Sequence, residues 1–432
     1  MDLPRGMKDF ENNEFSKIEF VREKFLETSK VFGYKLMEPS PIESLSTLEA
    51  KSGESIKDDI YFFTDKGERE IALRFDFTVG LTRYAVSQKS MKLPAKISAF
   101  GGVWRYDEPQ KGRYRFFHQW DVEIFGSANL EHDAEIIEFT SKFFSNLGLE
   151  NITIDISHRK LVQSYINEIF QEDNQQIVFD MLRAVDKIQK KSKQEIISEY
   201  EKKWYSLDKL EKIIEFSEIT GTPSEILDKI DVSCFNGWDE ITSVYNSLKN
   251  RNINNIQINL GIVRGLDYYS GIVFEAFDNT FDIGALVGGG RYDSLPEAFG
   301  RTDFGATGVA GGVERIILAL ENQNSKFKES EKRISVLYVN DQVKNHAIKI
   351  ASSLRDKGIP VDIDLSGKSL KKQMEQSVNS KFAVIVAPNE FSSGMIVLRN
   401  MLDRSEKQVK VEDLMSELSW EMLLWASLFL GH

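Results

Sequence analysis

The chain contains almost no cysteine. Cys234 is the only one among its 432 residues. A single cysteine cannot form a disulfide within the chain, nor can it supply a cluster of thiolate ligands for a metal ion. The sequence therefore excludes a disulfide framework and a cysteine metal cluster, and it is typical of a reducing compartment.

Long hydrophobic stretches are also missing. No apolar run reaches the roughly 18 residues that a membrane-spanning helix requires. The first residues, Met1 to Gly6, lack the apolar centre of a secretory signal. The sequence therefore predicts a soluble protein that stays in the cytoplasm and has no membrane partner.

Positive charge is scarce in the chain as a whole, but not in one region. The formal net charge is -12, which does not favour a nucleic-acid partner. Residues 333–410, however, contain 13 Lys and Arg against 8 Asp and Glu, a net charge of +5. This local excess permits a polyanionic partner at the C-terminal end of the chain, although it does not establish one.

The most informative stretch of the sequence is Val103 to Gly126. Its middle, residues 109–112 (Pro-Gln-Lys-Gly), has the composition of a turn, so the stretch predicts a long antiparallel hairpin. An arginine on a strand beside further cations suits a polyphosphate ligand, whereas charges at a hairpin tip are more often only solvated. Aromatic side chains that alternate with polar ones favour the binding site. The cations are Arg105, Lys111, Arg113 and Arg115.

Residues 105–119, Arg-Tyr-Asp-Glu-Pro-Gln-Lys-Gly-Arg-Tyr-Arg-Phe-Phe-His-Gln, resemble motif 2 of the class II aminoacyl-tRNA synthetases. The form is that of the histidine-specific members, the histidyl-tRNA synthetases. Residues 264–269 (Arg-Gly-Leu-Asp-Tyr-Tyr) and 288–293 (Gly-Gly-Gly-Arg-Tyr-Asp) resemble the two histidine signatures of that family. Glycines 288–290 suit either a flexible turn or a backbone that a ligand approaches closely.

Two further stretches resemble the remaining class motifs. Residues 12–42 predict a long helix followed by an extended, proline-containing segment, similar to motif 1, the dimer element of the class. Residues 305–318 predict a strand that runs into a helix opened by Glu314 and Arg315, similar to motif 3. No Gly-Lys-Ser/Thr follows, so this glycine-rich run is not a Walker phosphate loop.

The resemblance covers essentially the whole chain and implies its architecture. Residues 1–330 would form an α+β catalytic core with a mixed, mostly antiparallel sheet flanked by helices. A helical insertion would occupy about 159–250. Residues 331–432 alternate as βαβαβ, which predicts a small α/β domain, and this domain resembles the anticodon-binding domain of the family. Alternation from Ile71 to Thr78 predicts a strand whose polar face is the floor of an amino-acid pocket.

The resemblance also implies an activity. The carboxylate of L-histidine would attack the α-phosphorus of ATP, and the ribose hydroxyl of histidine tRNA would then attack the adenylate. Arg105 and Arg264 would lie opposite each other across the α-phosphate and act as the catalytic residues, since positioning and charge neutralisation do most of the work in such chemistry. Mg²⁺ would bridge the phosphates and have no site built from protein side chains alone. The residues implied for ATP binding are Arg105, Asp107, Arg113, Phe117 and Arg315.

The implied histidine pocket uses a separate set of side chains. Asp76, Thr78 and Gln119 would receive the ammonium group. Glu123 and Tyr269 would bracket the imidazole, because an acceptor and a hydroxyl can read its two nitrogens. The full set is Asp76, Thr78, Gln119, Glu123, Arg264, Tyr268, Tyr269 and Tyr292.

Three questions stay open on the sequence. Either Asp107 or Glu108 could contact adenine. The homodimer is implied by the resemblance alone. Two other functions share parts of the pattern: a synthetase-like protein that regulates histidine biosynthesis or senses tRNA, and a synthetase for another amino acid. The presence of Arg264 and a C-terminal α/β domain argues against the regulatory type, and Glu123 argues against another amino acid.

Overall fold

The computed structural model describes residues 2–418 except 53, 109–113, 172–173, 189–190, 265–267, 325–326 and 328–332. The chain divides into two compact units, residues 1–327 and 328–432. None of the helices in the described part of the chain combines the length and hydrophobicity that a bilayer crossing requires.

The first unit is built from twelve strands and twelve helices within the described residues. The strands are β1 (Lys35–Leu36), β2 (Ile42–Ser44), β3 (Phe62–Thr64), β4 (Glu70–Leu73), β5 (Ala95–Trp104), β6 (Phe116–Gly126), β7 (Ile152–His158), β8 (Thr220–Gly221), β9 (Ile256–Asn259), β10 (Ile272–Asp278), β11 (Val287–Arg291) and β12 (Gly305–Gly312). The helices are α1 (Asn12–Val31), α2 (Leu45–Ser52), α3 (Thr78–Ser87), α4 (Leu130–Leu147), α5 (Arg159–Phe170), α6 (Gln175–Ile188), α7 (Lys193–Glu201), α8 (Leu207–Ser217), α9 (Pro223–Lys229), α10 (Trp238–Asn250), α11 (Ser294–Ala298) and α12 (Val313–Asn322).

Nine of these strands form one sheet, in the order β1-β5-β6-β12-β11-β10-β7-β9-β8. Only the pairs β1–β5 and β7–β9 are parallel, and the other neighbours are antiparallel. The predicted mixed, mostly antiparallel sheet flanked by helices is thus confirmed. Helices α5 to α10 all lie between β7 and β9 in the sequence, where the helical insertion is expected.

Alternation along β6 gives the sheet one apolar and one polar face. Trp120, Val122 and Ile124 are buried in the hydrophobic core that also contains α1 and α4. The packing there is largely aromatic, since the ring of Phe25 on α1 lies 5.7 Å from that of Trp120. Because successive strand side chains point to opposite faces, residues 119, 121 and 123 must lie on the other side of the sheet.

A second sheet of three short strands, in the order β2-β4-β3, follows α1 in the chain. Its edge strand β3 presents Phe62 and Phe63 to solvent, with 45% and 44% of each residue exposed. Neighbouring exposed phenylalanines on a sheet edge are typical of a surface that another chain covers.

The prediction of a strand from Ile71 to Thr78 is wrong over its second half. Strand β4 ends at Leu73, and Thr78 begins α3. The Arg74 guanidinium donates to the carbonyls of Pro39 and Gly102, and the Asp76 carboxylate accepts the N–H of Val79 at 3.4 Å. These side chains bond to the backbone where the strand ladder stops, so the alternation there does not mark a strand.

The second unit is a five-stranded sheet with helices packed against it. The strands are β13 (Ile334–Tyr338), β14 (Val361–Ile363), β15 (Phe382–Val386), β16 (Met395–Asn400) and β17 (Glu406–Lys410), and the helices are α13 (Asp341–Arg355), α14 (Leu370–Gln376) and α15 (Pro388–Ser392). Strands β14, β13 and β15 are parallel, whereas β16 and β17 add antiparallel pairs. The predicted C-terminal α/β fold is confirmed. The edge strand β17 was not predicted, because its largely polar, charged sequence lacks an apolar pattern.

Candidate active site

The polar face of the central sheet carries a row of buried polar side chains on β6. Gln119, Asp121 and Glu123 are 3%, 0% and 1% exposed. Their spacing of two residues places all three on the face opposite the aromatic core. Polar groups of this size are rarely buried unless they bond to one another or to a ligand.

Glycines on the neighbouring strands leave room for the side chains on this face of the sheet. A Cβ atom added to Gly308 on β12 would lie 1.5 Å from Oε2 of Glu123. One added to Gly288 on β11 would lie 2.0 Å from Nη1 of Arg264. Glycines 288–290 therefore belong to a buried strand and not to a flexible turn, and protein side chains occupy the space above them.

Glu123 bonds to one member of a cluster of three tyrosines. The Tyr292 hydroxyl donates to Oε2 of Glu123. Burial, and then the charge of Glu123, raise the pKa of the Tyr292 phenol well above its usual range, so this hydroxyl remains a donor. The ring of Tyr268 meets that of Tyr292 edge-on at 5.8 Å, and Tyr269 lies 4.6 Å from Tyr268. These four predicted pocket residues are brought together.

Arg105, immediately after β5, is held by two acceptors. Its Nε donates to the carbonyl of Phe75 at 2.9 Å, and its Nη2 donates to Oε1 of Gln119 at 3.1 Å. The guanidinium carbon lies 5.1 Å from the centre of the Phe117 ring. A fixed guanidinium beside an aromatic face is preorganised for an anion and a flat ring.

Only one end of the Gln119 side-chain amide has a hydrogen-bond partner among the described residues. Its Oε1 accepts from Arg105, whereas its Nε2 is buried without a hydrogen-bond partner among the described residues. A buried donor without an acceptor costs free energy, and such groups cluster where a ligand completes the bonding. We therefore place a ligand acceptor beside Gln119.

Arg264 approaches the same face from the segment before β10. Its Nη1 donates to Glu275 on β10, whereas its Nε is buried without a partner among the described residues. Its backbone φ is +57°, a left-handed conformation that few non-glycine residues adopt. Such strain persists where the surrounding structure holds it, and it concentrates at functional sites. The next three residues of the signature, 265–267, lie outside the described part of the chain.

Thr78 reaches the face from the start of α3 and not from a strand. Its Oγ1 donates to Oδ2 of Asp121 at 3.4 Å. Asp76, which is 9% exposed, precedes it in the turn before that helix. Thr78 therefore contacts the β6 row, and Asp76 lies two residues before it, although the element that carries Thr78 is different from the one predicted.

The remaining predicted residues lie at the open end of β6 and on α12. Nη1 of Arg315 donates to the carbonyl of Ala285 at 2.8 Å. The carbonyl of Asp107 accepts from Nε of Arg115 at 3.1 Å, and Glu108 pairs with Arg5 at 2.8 Å. The tip residues 109–112 and Arg113 lie outside the described residues.

Sequence reasoning missed two carboxylates that organise this site. Glu275 is the only charged side chain inside the apolar part of β10, and it holds Arg264. Glu314 accepts the backbone N–H of His118 at 2.9 Å and lies 3.0 Å from Nδ1 of its ring, so it joins α12 to β6. A lone charge within an apolar strand was a signal for the first. No signal in the sequence links Glu314 with His118.

Comparisons with known proteins agree with one another. A family model described as histidyl-tRNA synthetase matches residues 6–316, and one described as anticodon binding domain matches residues 333–420. A histidine–tRNA ligase from Pyrococcus furiosus is 34% identical over 426 residues, which are 95% of this chain and 96% of that protein.

Two solved structures share the fold. The crystal structure of histidyl-tRNA synthetase from Nostoc sp. PCC 7120 has a TM-score of 0.80 at 23% identity, and covers 97% of this chain and 99% of that one. A structure from Bacillus halodurans C, titled as an ATP phosphoribosyltransferase regulatory subunit/histidyl-tRNA synthetase, has a TM-score of 0.74 at 20% identity, with coverage of 90% and 98%. At these identities the likeness concerns the fold alone.

The close approach of Glu123 to β12 can be tested by adding one methyl group. Gly308→Ala should lower the free energy of unfolding by about 1–3 kcal/mol, the usual cost of forcing extra atoms into a filled interior. In a Glu123→Ala background the cost should be smaller, because the clashing carboxylate is gone. Chemical denaturation of the four proteins of this cycle measures the difference. An equal cost in both backgrounds would show that Glu123 does not fill the space above Gly308.

Proposed function

The chain belongs to the histidyl-tRNA synthetase family, and we propose that the polar face of its central sheet binds ATP and histidine in the roles that the motifs imply. As a histidine–tRNA ligase, the protein joins histidine to tRNA at the expense of ATP. The observation that carries the assignment of the site is the buried, unpartnered Nε2 of Gln119, beside a guanidinium that is already fixed in place.

Arg105 and Arg264 act on the α-phosphate and the histidine carboxylate. Arg105 keeps a fixed position because Phe75 and Gln119 accept two of its N–H groups. Arg264 has a buried Nε left to donate after its Nη1 has bonded to Glu275. Donors that are already oriented need no rearrangement as charge develops on the phosphate, and this is the main source of stabilisation in such reactions.

Histidine lies between Gln119 and the tyrosine cluster. Asp76, Thr78 and Oε1 of Gln119 receive the ammonium group, and the Nε2 of Gln119 donates to the carboxylate. Glu123 and Tyr269 bracket the imidazole. A site whose buried polar groups need two partners rejects side chains that lack them, which gives selectivity for histidine.

ATP lies over the open end of β6. Phe117 stacks on adenine, and Arg113 and Arg315 bind the β- and γ-phosphates. We assign the adenine contact to Asp107, the residue that the motif implies. Mg²⁺ accompanies the phosphates; the described residues contain no group of three or more acidic, His or Cys side chains that would hold it by themselves.

A regulatory or tRNA-sensing protein is not favoured. The family model covers residues 6–316, and relatives named histidine–tRNA ligase match nearly the full length of the chain. Arg264 and the C-terminal unit, whose presence in the sequence argues against the regulatory type, are both part of that match. Exchange of pyrophosphate into ATP, measured with each amino acid in turn, separates a histidine ligase from either alternative.

The proposed roles of Arg105 and Arg264 can be tested by replacing each arginine with alanine. Arg105→Ala and Arg264→Ala should each lower the rate of histidyl-adenylate formation by about 10²-fold or more, the usual effect of removing a preorganised donor. Arg333→Ala, at an exposed position in the C-terminal unit, serves as the control. The measurement is histidine-dependent ATP–pyrophosphate exchange. Exchange at the wild-type rate in either variant would show that its arginine does not contact the reacting phosphate.

We assign tRNA recognition to residues 331–432 and amino-acid activation to residues 1–330. All predicted ATP and histidine ligands precede Phe327, where the first compact unit ends. The C-terminal sheet forms its own hydrophobic core, and the basic excess in 333–410 suits a polyanion.

Deletion of residues 331–432 should therefore separate two activities. Pyrophosphate exchange should persist, whereas charging of histidine tRNA should fall severely, and the tRNA affinity that is lost should be its salt-sensitive part. Both activities are measured on a truncated protein that is shown to be folded. If they fall equally, the C-terminal unit belongs to the catalytic machinery, and if charging is unchanged, that unit does not read the tRNA.

We also propose that the protein is a cytoplasmic homodimer that uses the exposed edge strand β3 and the motif 1 region. Phe62 and Phe63 would be buried by the second copy. Phe62→Ser together with Phe63→Ser should shift the protein from dimer to monomer in sedimentation velocity. Leu402→Ser, at a 79% exposed position in the C-terminal unit, is the control. A wild-type monomer, or a dimer that the double variant leaves intact, would contradict this assignment.

A further inference from the structure

The segment that carries Tyr268 and Tyr269 is tied to the corner between β11 and α11. The Ser294 hydroxyl donates to the carbonyl of Tyr268 at 3.0 Å. The backbone N–H of Ser270 donates to the carbonyl of Arg291 at 2.9 Å. The residues on either side of Tyr269 are thus bonded to a second part of the chain, more than twenty residues away.

Ser270 and Asp293 bond to each other twice. The Ser270 hydroxyl donates to Oδ2 of Asp293 at 3.3 Å and accepts the backbone N–H of Asp293 at 3.1 Å. The other carboxylate oxygen of Asp293 accepts the N–H of Ala306 on β12 at 3.0 Å. One side chain therefore connects the tyrosine segment with the strand that also contains Gly308.

Arg291 anchors this corner to the hydrophobic core. Its side chain is 6% exposed, and its Nη1 donates to Oδ1 of Asp293 at 3.3 Å. On the other side, its Nη2 donates to Oδ2 of Asp133 on α4 at 2.7 Å and to the carbonyl of Asn129 at 2.9 Å. A buried arginine with this many acceptors has one position only, so everything bonded to it is fixed as well.

Two glycines near this corner leave the space that these contacts require. A Cβ atom on Gly305 would lie 1.9 Å from Oδ1 of Asp293, and one on Gly271 would lie 3.1 Å from Cδ of Arg291. None of these residues lies among those assigned to the ligands. Their side chains point to the corner and not to Glu123 or Gln119.

We propose that Ser270, Asp293 and Ser294 are positioning residues for histidine selection. They act through Tyr268 and Tyr269 and fix the distance of these rings from Glu123, without touching the substrate. This inference depends on the proposed role of the tyrosines in histidine binding. It predicts an effect on histidine that leaves ATP binding unchanged, because Arg105 and Phe117 lie on the β5–β6 hairpin and not on the tyrosine segment.

The least disruptive test removes the two hydroxyls. Ser270→Ala and Ser294→Ala should each raise the KM for histidine about 2- to 10-fold, the loss expected for one or two hydrogen bonds. The double variant should raise it about tenfold or more. The KM for ATP should stay at the wild-type value, whereas the midpoint of thermal unfolding should fall by only a few degrees, as expected for the loss of one or two hydrogen bonds.

Three further variants show whether the effect depends on these two hydroxyls and on the histidine pocket. Ser294→Thr keeps the hydroxyl at an exposed position and should restore the wild-type KM for histidine. Ser243→Ala removes an equally exposed hydroxyl that bonds to a carbonyl on α10, and it should have no effect. Glu123→Ala tests the pocket itself and should raise the KM for histidine far more than that for ATP.

The outcomes are distinguishable. If Glu123→Ala raises the KM for histidine and the double serine variant does not, the positioning role is wrong and the pocket assignment stands. If both KM values rise together while the unfolding midpoint falls, the serines serve only the fold, and the proposal is also wrong. If Glu123→Ala leaves the KM for histidine unchanged, the proposed pocket itself is wrong.

Discussion

The glycines at positions 288 and 308, on the two central strands, are the constraint on which the site depends. Glu123 and Arg264 occupy positions where a Cβ atom on Gly308 or Gly288 would lie within 2.0 Å of their charged groups. With any larger residue there, the carboxylate and the guanidinium would have to rise from the sheet. The glycines therefore set the depth of the pocket floor, and every ligand contact that we propose is built upon that depth.

Burial then determines how the polar groups behave. Tyr292 donates a hydrogen bond to Glu123, and Arg105 donates one to Gln119. Glu123 and Arg105 therefore have partners before any ligand binds. Among the described residues, the buried donors of the site's side chains that have no hydrogen-bond partner include the Nε2 of Gln119 and the Nε of Arg264. A site prepared in this way binds an anionic, hydrogen-bonding substrate without rearranging itself, which is the physical basis of electrostatic catalysis.

The sequence predicted those parts of the site that depend on neighbouring residues. The β5–β6 hairpin outside its tip, the run from β12 into α12, and the parallel strands of the C-terminal unit follow from periodicity and turn composition. The position of Thr78 could not be predicted, because side chains such as Arg74 bond to distant carbonyls and end the strand early. The contacts of Glu314 with His118 and of Asp293 with Ser270 join separate segments of the chain, and no local pattern reports them.

The most direct measurement is an experimental structure of the protein with histidine and a non-hydrolysable ATP analogue. We predict an imidazole ring between Glu123 and Tyr269, and an α-phosphate within hydrogen-bonding distance of both Arg105 and Arg264. We also predict that the Nε2 of Gln119 gains an acceptor from the bound amino acid. An imidazole bound away from Glu123, or an α-phosphate that contacts neither arginine, would contradict the proposed site.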